Sequence, residues 1–154
     1  MNEVVEILKF KPEFRKAFKD LNIEWIEKYF TVEPEDDKVL SNPEVIIKNG
    51  GEIFFAKYNN EIVGTCAAIK IDDNTIELAK MAVTEKAQGK QIGKKLALAV
   101  IEFARSKGVE QLVLETSDKL VAAVNLYEKL GFEKINENSG SKYTRTVFKM
   151  VMEL

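Results

Sequence analysis

The sequence predicts a mixed α/β domain: a central, mostly antiparallel sheet of about seven strands flanked by about four helices, in the order β-α-α-β-β-β-α-β-α-β-β. Three observations carry this prediction. Short apolar runs bounded by Gly, Asn and Asp recur along the chain, as strands require. Segments beginning near Ile92 and Leu120 repeat apolar residues at helical spacing. Between Thr75 and Thr116 a strand, a helix and another strand follow one another, a crossover that makes a parallel pair inside a sheet otherwise joined by hairpins.

The elements follow in order. Glu3 to Phe10 reads as a first strand, and Pro12 suits the first turn of a helix whose apolar stripe is Phe14, Phe18, Leu21 and Trp25. That helix ends near Phe30. A second helical region carries Pro34 and Pro43 as first-turn prolines, with Asn42 as an expected N-cap, and Asn49-Gly50-Gly51 stops it. Strands Glu52 to Tyr58 and Glu61 to Ile71 are joined through Asn59-Asn60, residues that tolerate the positive φ of a tight hairpin. Thr75 to Val83 is apolar on both sides except at Glu77 and Lys80, which suits a central strand.

The next helix buries Ile92, Leu96, Ala99, Val100 and Phe103 and ends at Gly108; Leu112 to Leu114 is the strand after it. Ser117 or Asp118 can cap a helix carrying Leu120, Ala123, Leu126, Tyr127 and Leu130, which Gly131 ends. Phe132 to Ile135 and Tyr143 to Val151 close the sheet. No repeat, linker or low-complexity stretch interrupts the chain, so residues 1–154 read as one domain.

Composition removes several kinds of chemistry. The 154 residues include no histidine, which excludes Ser-His-Asp and Cys-His catalysis and the commonest zinc ligand sets. No metal is expected. Cys66, the single cysteine, lies in an apolar run and reads as a buried structural thiol. A formal net charge of −2, with acidic and basic residues interspersed, argues against nucleic acid as partner. The N-terminus has no leader pattern and no window is apolar enough to span a membrane, so a cytoplasmic protein is expected.

One turn stands out. Gln88-Gly89-Lys90-Gln91-Ile92-Gly93 joins the central strand to a helix, with Lys86, Lys90, Lys94 and Lys95 around it. The first turn of a helix offers backbone N–H groups without intrahelical partners and a partial positive charge, and glycines let an anion approach the backbone. Neither the Walker pattern nor the dinucleotide fingerprint is present, so the turn alone is either a phosphate site or an ordinary strand-to-helix connection.

Three motifs in order resemble the Gcn5-related N-acetyltransferase (GNAT) family across nearly the whole chain. Gln88 and Gly93 fill the first and last places of its Gln/Arg-x-x-Gly-x-Gly/Ala signature, with Gln91 where the middle glycine is usual. Leu78 to Val83 is similar to the family's fourth strand, and Asn125 to Phe132 to its second motif, a helix ending in Gly-Phe. Leu120 stands where relatives often carry Asn. The resemblance implies acetyl-CoA as co-substrate, held by Met81, Ala82, Val83, Gln88, Gly89, Lys90, Gln91, Ile92, Gly93 and Lys94.

It further implies acetyl transfer to a primary amine of a small molecule or peptide by direct attack. Tyr127 matches the tyrosine that protonates the departing thiolate, with a core tyrosine as its alternative; Glu77 is the matching candidate base, with a solvated or lysine-paired glutamate as the alternative. A backbone N–H of Met81 or Ala82 would meet the oxyanion. Trp25, Tyr29, Phe30, Glu33 and Asp36 lie in or just after the first helix, where the family's acceptor cleft is lined, with core packing as the alternative for Trp25 and Phe30; carboxylates facing that cleft would favour a cationic amine. A non-catalytic acyl-CoA-binding module on the same fold stays open, and a monomer and a homodimer are equally compatible.

Overall fold

The computed structural model describes residues 4–135, 141–146 and 148–154. Strand β1 (Glu6–Lys9) is followed by a 3₁₀ turn (Pro12–Phe14) and helices α1 (Arg15–Tyr29), α2 (Pro34–Leu40) and α3 (Pro43–Lys48). Strands β2 (Glu52–Tyr58), β3 (Glu61–Asp72) and β4 (Thr75–Val83) come next. After a 3₁₀ turn (Glu85–Ala87) the chain runs through α4 (Ile92–Ser106), β5 (Gln111–Thr116), α5 (Val121–Leu130), β6 (Glu133–Ile135) and β7 (Phe148–Glu153).

The seven strands form one sheet in the order β1-β2-β3-β4-β5-β7-β6, antiparallel throughout except for the β4–β5 pair. Asn59 and Asn60 take φ of 50° and 63°, the mirror-image turn that matches strand twist. The sheet separates two apolar layers. Ile53 and Phe55 of β2 pack with Phe18 and Ile26 of α1, Leu40 of α2 and Ile46 of α3. Phe54, Leu78, Leu112, Leu114 and Met150 face Leu96 and Val100 of α4 and Tyr127 of α5 on the other side. Cys66 is fully buried in this second layer, and burial pushes its thiol well above its ordinary pKa, as a structural cysteine requires.

Local departures from the sequence reading have physical causes. The second helical region is two helices rather than one, because Pro43 has no N–H and cannot continue a helix begun at Pro34. Asn42 does not cap α3: its side-chain amide donates to the Lys38 carbonyl at 2.8 Å. Neither Ser117 nor Asp118 caps α5, whose first turn is preceded by a bend in which Ser117 Oγ accepts the Lys119 N–H. The α4 stripe is broader than expected, with Ala97, Ile101 and Ala104 buried as well. β1 begins at Glu6, while Glu3, its expected start, lies outside the described residues. Tyr143 to Thr146 are not in the last strand, which starts at Phe148; side-chain bonds draw that segment over the sheet, and Val147 lies outside the described residues.

Candidate active site

The site begins where two strands part. β4 and β5 are in register from Thr75↔Gln111 to Glu77↔Val113 and pair no further, although β4 runs on to Val83 and β5 to Thr116. A bulge in β4 accompanies the divergence. Its register with β3 passes from Ala67↔Ala79 to Thr65↔Ala82, leaving Lys80 and Met81 opposite Cys66, and Lys80 takes a φ of 56°. Such an insertion bends and twists a strand. Past Glu77, the edge of β4 that faces β5 is therefore open, and a cleft of about 1400 Å³ lies between the separated ends.

One end of the cleft is the turn before α4. Gly89 and Gln91 have φ of 87° and 60°, so two left-handed residues coil the chain ahead of the helix. The first helical hydrogen bond is from Lys95 N–H to the Gln91 carbonyl at 3.1 Å, so the N–H groups of Ile92, Gly93 and Lys94 precede the intrahelical ladder. A side chain at Gly93 would lie 3.6 Å from Met81 Sδ and 3.7 Å from Leu126 Cδ2, so this glycine brings α4 close to both β4 and α5.

Of the residues expected to hold acetyl-CoA, Met81, Val83, Gln88, Gly89, Gln91, Ile92, Gly93 and Lys94 line the cleft. Ala82 does not line the cleft; its side chain is buried in the core. Lys90 stacks over the Tyr58 ring at 4.9 Å and Lys86 pairs with Glu61 at 2.9 Å, so both reach toward the β2–β3 hairpin.

Tyr127 stands beside this turn. Its ring is buried, edge-on to Phe132 at 5.8 Å, and its hydroxyl points at Met81 Sδ, 3.8 Å away. Burial pushes the phenol above its ordinary pKa, so it holds its proton at neutral pH, and a thioether is a weak acceptor for that proton. Glu77 lies at the other end, at the point of divergence. Desolvation, with the negative charge of Glu115 adding to it, pushes its carboxyl up to about 7 against the pull of Lys80, Lys149 and Lys142. A carboxyl titrating there takes or gives a proton at neutral pH.

The acceptor side holds what the sequence did not disclose. Asp36, fully buried, accepts from Lys80 Nζ at 2.8 Å, from Arg145 at 2.6 and 2.9 Å, and from the Glu33 N–H at 2.8 Å. Burial alone would raise its carboxyl; these bonds hold it well below the usual carboxylate range. Lys80 Nζ also donates to the Tyr143 hydroxyl at 2.8 Å, and the Arg145 guanidinium lies 4.4 Å from the Tyr143 ring centre.

This corrects the expectation of an acidic acceptor wall. Glu33 does not line the cleft: its carboxylate caps α2 and accepts from the Thr144 N–H and Arg145. Asp36 is neutralised by two cations. Trp25, Tyr29 and Phe30 do line the cleft as an aromatic cluster, with ring centres 5.4 to 6.5 Å apart. Lys80 was the available signal, since a lysine in a central strand requires a buried acid. Its partner, 44 residues away among 25 acidic residues, could not be read from spacing.

Comparisons with known proteins agree with this architecture. The model of the "Acetyltransferase (GNAT) family" matches residues 14–132. The uncharacterized N-acetyltransferase YjgM of Escherichia coli is 31% identical over 136 residues, covering 84% of this chain and 80% of that one. Several other curated relatives are longer, and the chain spans less than half of their length. The crystal structure of a GNAT-family acetyltransferase from Staphylococcus aureus Mu50 superposes with a TM-score of 0.88 at 24% identity, covering 98% of this chain and 99% of that one, which establishes the fold. A GNAT-family acetyltransferase from Elizabethkingia anophelis, solved with acetyl-CoA bound, gives a TM-score of 0.63 at 27% identity, covering 97% and 98%. With a family match over most of its length, on a sheet split between β4 and β5, the chain belongs to the GNAT acetyltransferase family.

Proposed function

We propose that the chain transfers an acetyl group from acetyl-CoA to the primary amine of a small molecule or peptide, by direct attack through a tetrahedral intermediate. The observation that carries this reading is the parting of β4 from β5 after Glu77↔Val113, which leaves the open β4 edge, the α4 N-terminus and the Tyr127 hydroxyl on one cleft. The donors suit the co-substrate's parts. The N–H groups of Ile92, Gly93 and Lys94 suit a pyrophosphate, and the β4 edge suits an extended amide-bearing arm that pairs as an added strand would. The bound acetyl-CoA of the relative from E. anophelis supports the choice of co-substrate.

Each residue then has one task. Glu77 takes the proton that the ammonium must lose before attack. A backbone N–H of Met81 or Ala82, at the bulge in β4, meets the oxyanion of the tetrahedral intermediate. Tyr127 gives its proton to the sulfur as the C–S bond breaks, the nitrogen sheds its second proton to water as the amide forms, and the phenolate recovers a proton from solvent. Glu77 and Met81, the residue beside the Tyr127 hydroxyl, are four residues apart on β4, at most about 13 Å given the bulge between them, so water relays the amine proton.

The test is calorimetric titration with acetyl-CoA, followed by thiol release from acetyl-CoA over a panel of amino acids, polyamines, aminoglycosides and N-terminal peptides. Binding tighter than about millimolar and amine-dependent thiol release are expected. Absence of binding would sink the reading. Binding without turnover on any amine would favour a sensing role.

A further inference from the structure

Glu115 is absorbed by no step described so far, yet it occupies the middle of the acceptor side. On β5 the residues alternate between the core layer, which takes Leu112 and Leu114, and the opposite face, which takes Val113 and Glu115. On β4, Ile76 and Leu78 face that same core layer, so Glu77 shares the other face with Glu115. Glu77 is opposite Val113, which puts Glu115 one step along the neighbouring strand, where β4 and β5 part.

Two hydroxyls converge on one oxygen of Glu115. Thr146 Oγ1 donates to Oε2 at 3.2 Å, Ser141 Oγ shares its one proton between Oε2 and the Tyr143 carbonyl, each at 3.2 Å, while accepting the Tyr143 N–H, and Lys149, the register partner of Glu115 on β7, lies 3.9 Å from Oε1. Ser141 and Thr146 are the two ends of the segment 141–146. Its middle is held from the other wall, by Arg145 on Asp36 and by Tyr143 under Lys80 Nζ. A single carboxylate thus fixes both ends of a segment that crosses the cleft.

We propose that Glu115 is a positioning residue for the reaction read above, pinning residues 141–146 across the acceptor side through Ser141 and Thr146 while setting a second negative charge beside Glu77. The charged groups that face Glu77 are Lys80 from its own strand, Glu115 from β5, Lys149 from β7, and Lys142 with Tyr143 from the segment. β3 contributes the apolar Ile69 opposite it, and the Asp36 charge on α2 is engaged by Lys80 and Arg145. Among these, Glu115 is the anion that opposes ionisation of Glu77, and burial of the site acts in the same sense. Its significance for catalysis rests on Glu77 being the base.

The two roles separate by substitution. Glu115→Gln keeps an oxygen for Ser141 and Thr146 and removes the charge; Glu115→Ala removes both. In protein labelled with ¹³C at the glutamate carboxyls, with the Glu77 signal assigned by its loss in Glu77→Gln, the Glu77 midpoint should fall by roughly 1 pH unit in Glu115→Gln. Amide hydrogen exchange at 141–146 should rise by roughly tenfold in Glu115→Ala while staying near wild type in Glu115→Gln. A midpoint shift below roughly 0.5 unit in Glu115→Gln overturns the proposal, and so does equal exchange in the two variants; if Glu115→Ala does not fold, the Glu115→Gln titration decides. Neither readout uses acetyl-CoA, so their failure leaves the acetyltransfer reading standing, and failure of acetyltransfer leaves them interpretable.

Discussion

The Tyr127 hydroxyl stands 3.8 Å from the Met81 sulfur, the one side-chain acceptor it meets among the described residues. Met81 in turn touches the space in front of Gly93, so the phenol, the open strand and the α4 N-terminus share a corner of the cleft. A hydroxyl aimed at a weak acceptor adds little to folding. It can serve a leaving sulfur without first breaking a strong bond.

Tyr127→Phe should therefore lower kcat by at least roughly tenfold, a floor below the roughly hundredfold or more usual for a lost general acid. Thermal stability and acetyl-CoA affinity should be nearly unchanged, because the ring and its edge contact with Phe132 remain. Thiol-release kinetics with calorimetry check both. A parallel loss of stability and activity would reduce Tyr127 to a core tyrosine.

The turn before α4 separates backbone strain from contact. Gln91 is held at φ 60° and Gly89 at φ 87°, with open space where a side chain at Gly89 would go. Gln91→Gly should stabilise the fold by up to about 1 kcal/mol by removing a left-handed side chain, less the entropy glycine adds to the unfolded chain. Gly89→Ala should destabilise it by about 1 kcal/mol through backbone conformation alone. Urea unfolding of the two variants, read side by side, tests whether the turn has this shape.

Asp36 is the partner of two largely buried cations, and its loss leaves Lys80 without its counter-charge and Arg145 with Glu33 alone. Asp36→Ala should cost about 3–5 kcal/mol, far more than removal of the exposed Lys86–Glu61 pair, which should change stability by less than about 1 kcal/mol. The sign with pH follows from the depressed carboxyl. Its contribution is complete above the ordinary aspartate pKa, near 3.8, and is lost as pH falls below it through the folded value. Wild type should therefore lose its advantage over Asp36→Ala between about pH 4 and lower pH in denaturant melts.

What could be read before the structure was what local physics decides. Glu52 to Tyr58 and Thr75 to Val83 are strands to the residue, because their apolar runs end at Asn-Asn, Asp-Asn and a glycine turn. The hairpin at Asn59-Asn60 and the stops at Gly108 and Gly131 follow from positive φ in the same way. The turn is marked by its glycines and lysines and its role by motif order, which also marks Tyr127, and both border the cleft. The acceptor side was not legible, because its chemistry is made by pairs distant in sequence. Asp36 meets Arg145 across 109 residues and Glu115 meets Thr146 across 31, and nothing in local spacing announces either. The bulge at Lys80 was hidden for a different reason: a lysine occupies a left-handed position where glycine would have marked it.

Glu77 should show function and stability pulling in opposite directions. Its carboxyl, raised from 4.5 to about 7, binds its proton more tightly in the folded chain than in the unfolded one. Between those two values the folded state holds more protons, so the group's contribution to stability falls as pH rises, and above 7 an ionised carboxylate is carried in a site that disfavours it. Glu77→Gln removes that charge. It should stabilise the chain relative to wild type by about 1–3 kcal/mol at pH 8 and by much less at pH 5, while lowering kcat by roughly a hundredfold with the best amine of the panel. In wild type the acid limb of the kcat/KM profile should fall near pH 7, and it should vanish in the variant. A stability gain without loss of turnover would show that the buried carboxyl is not the base and that the amine arrives at the cleft already neutral.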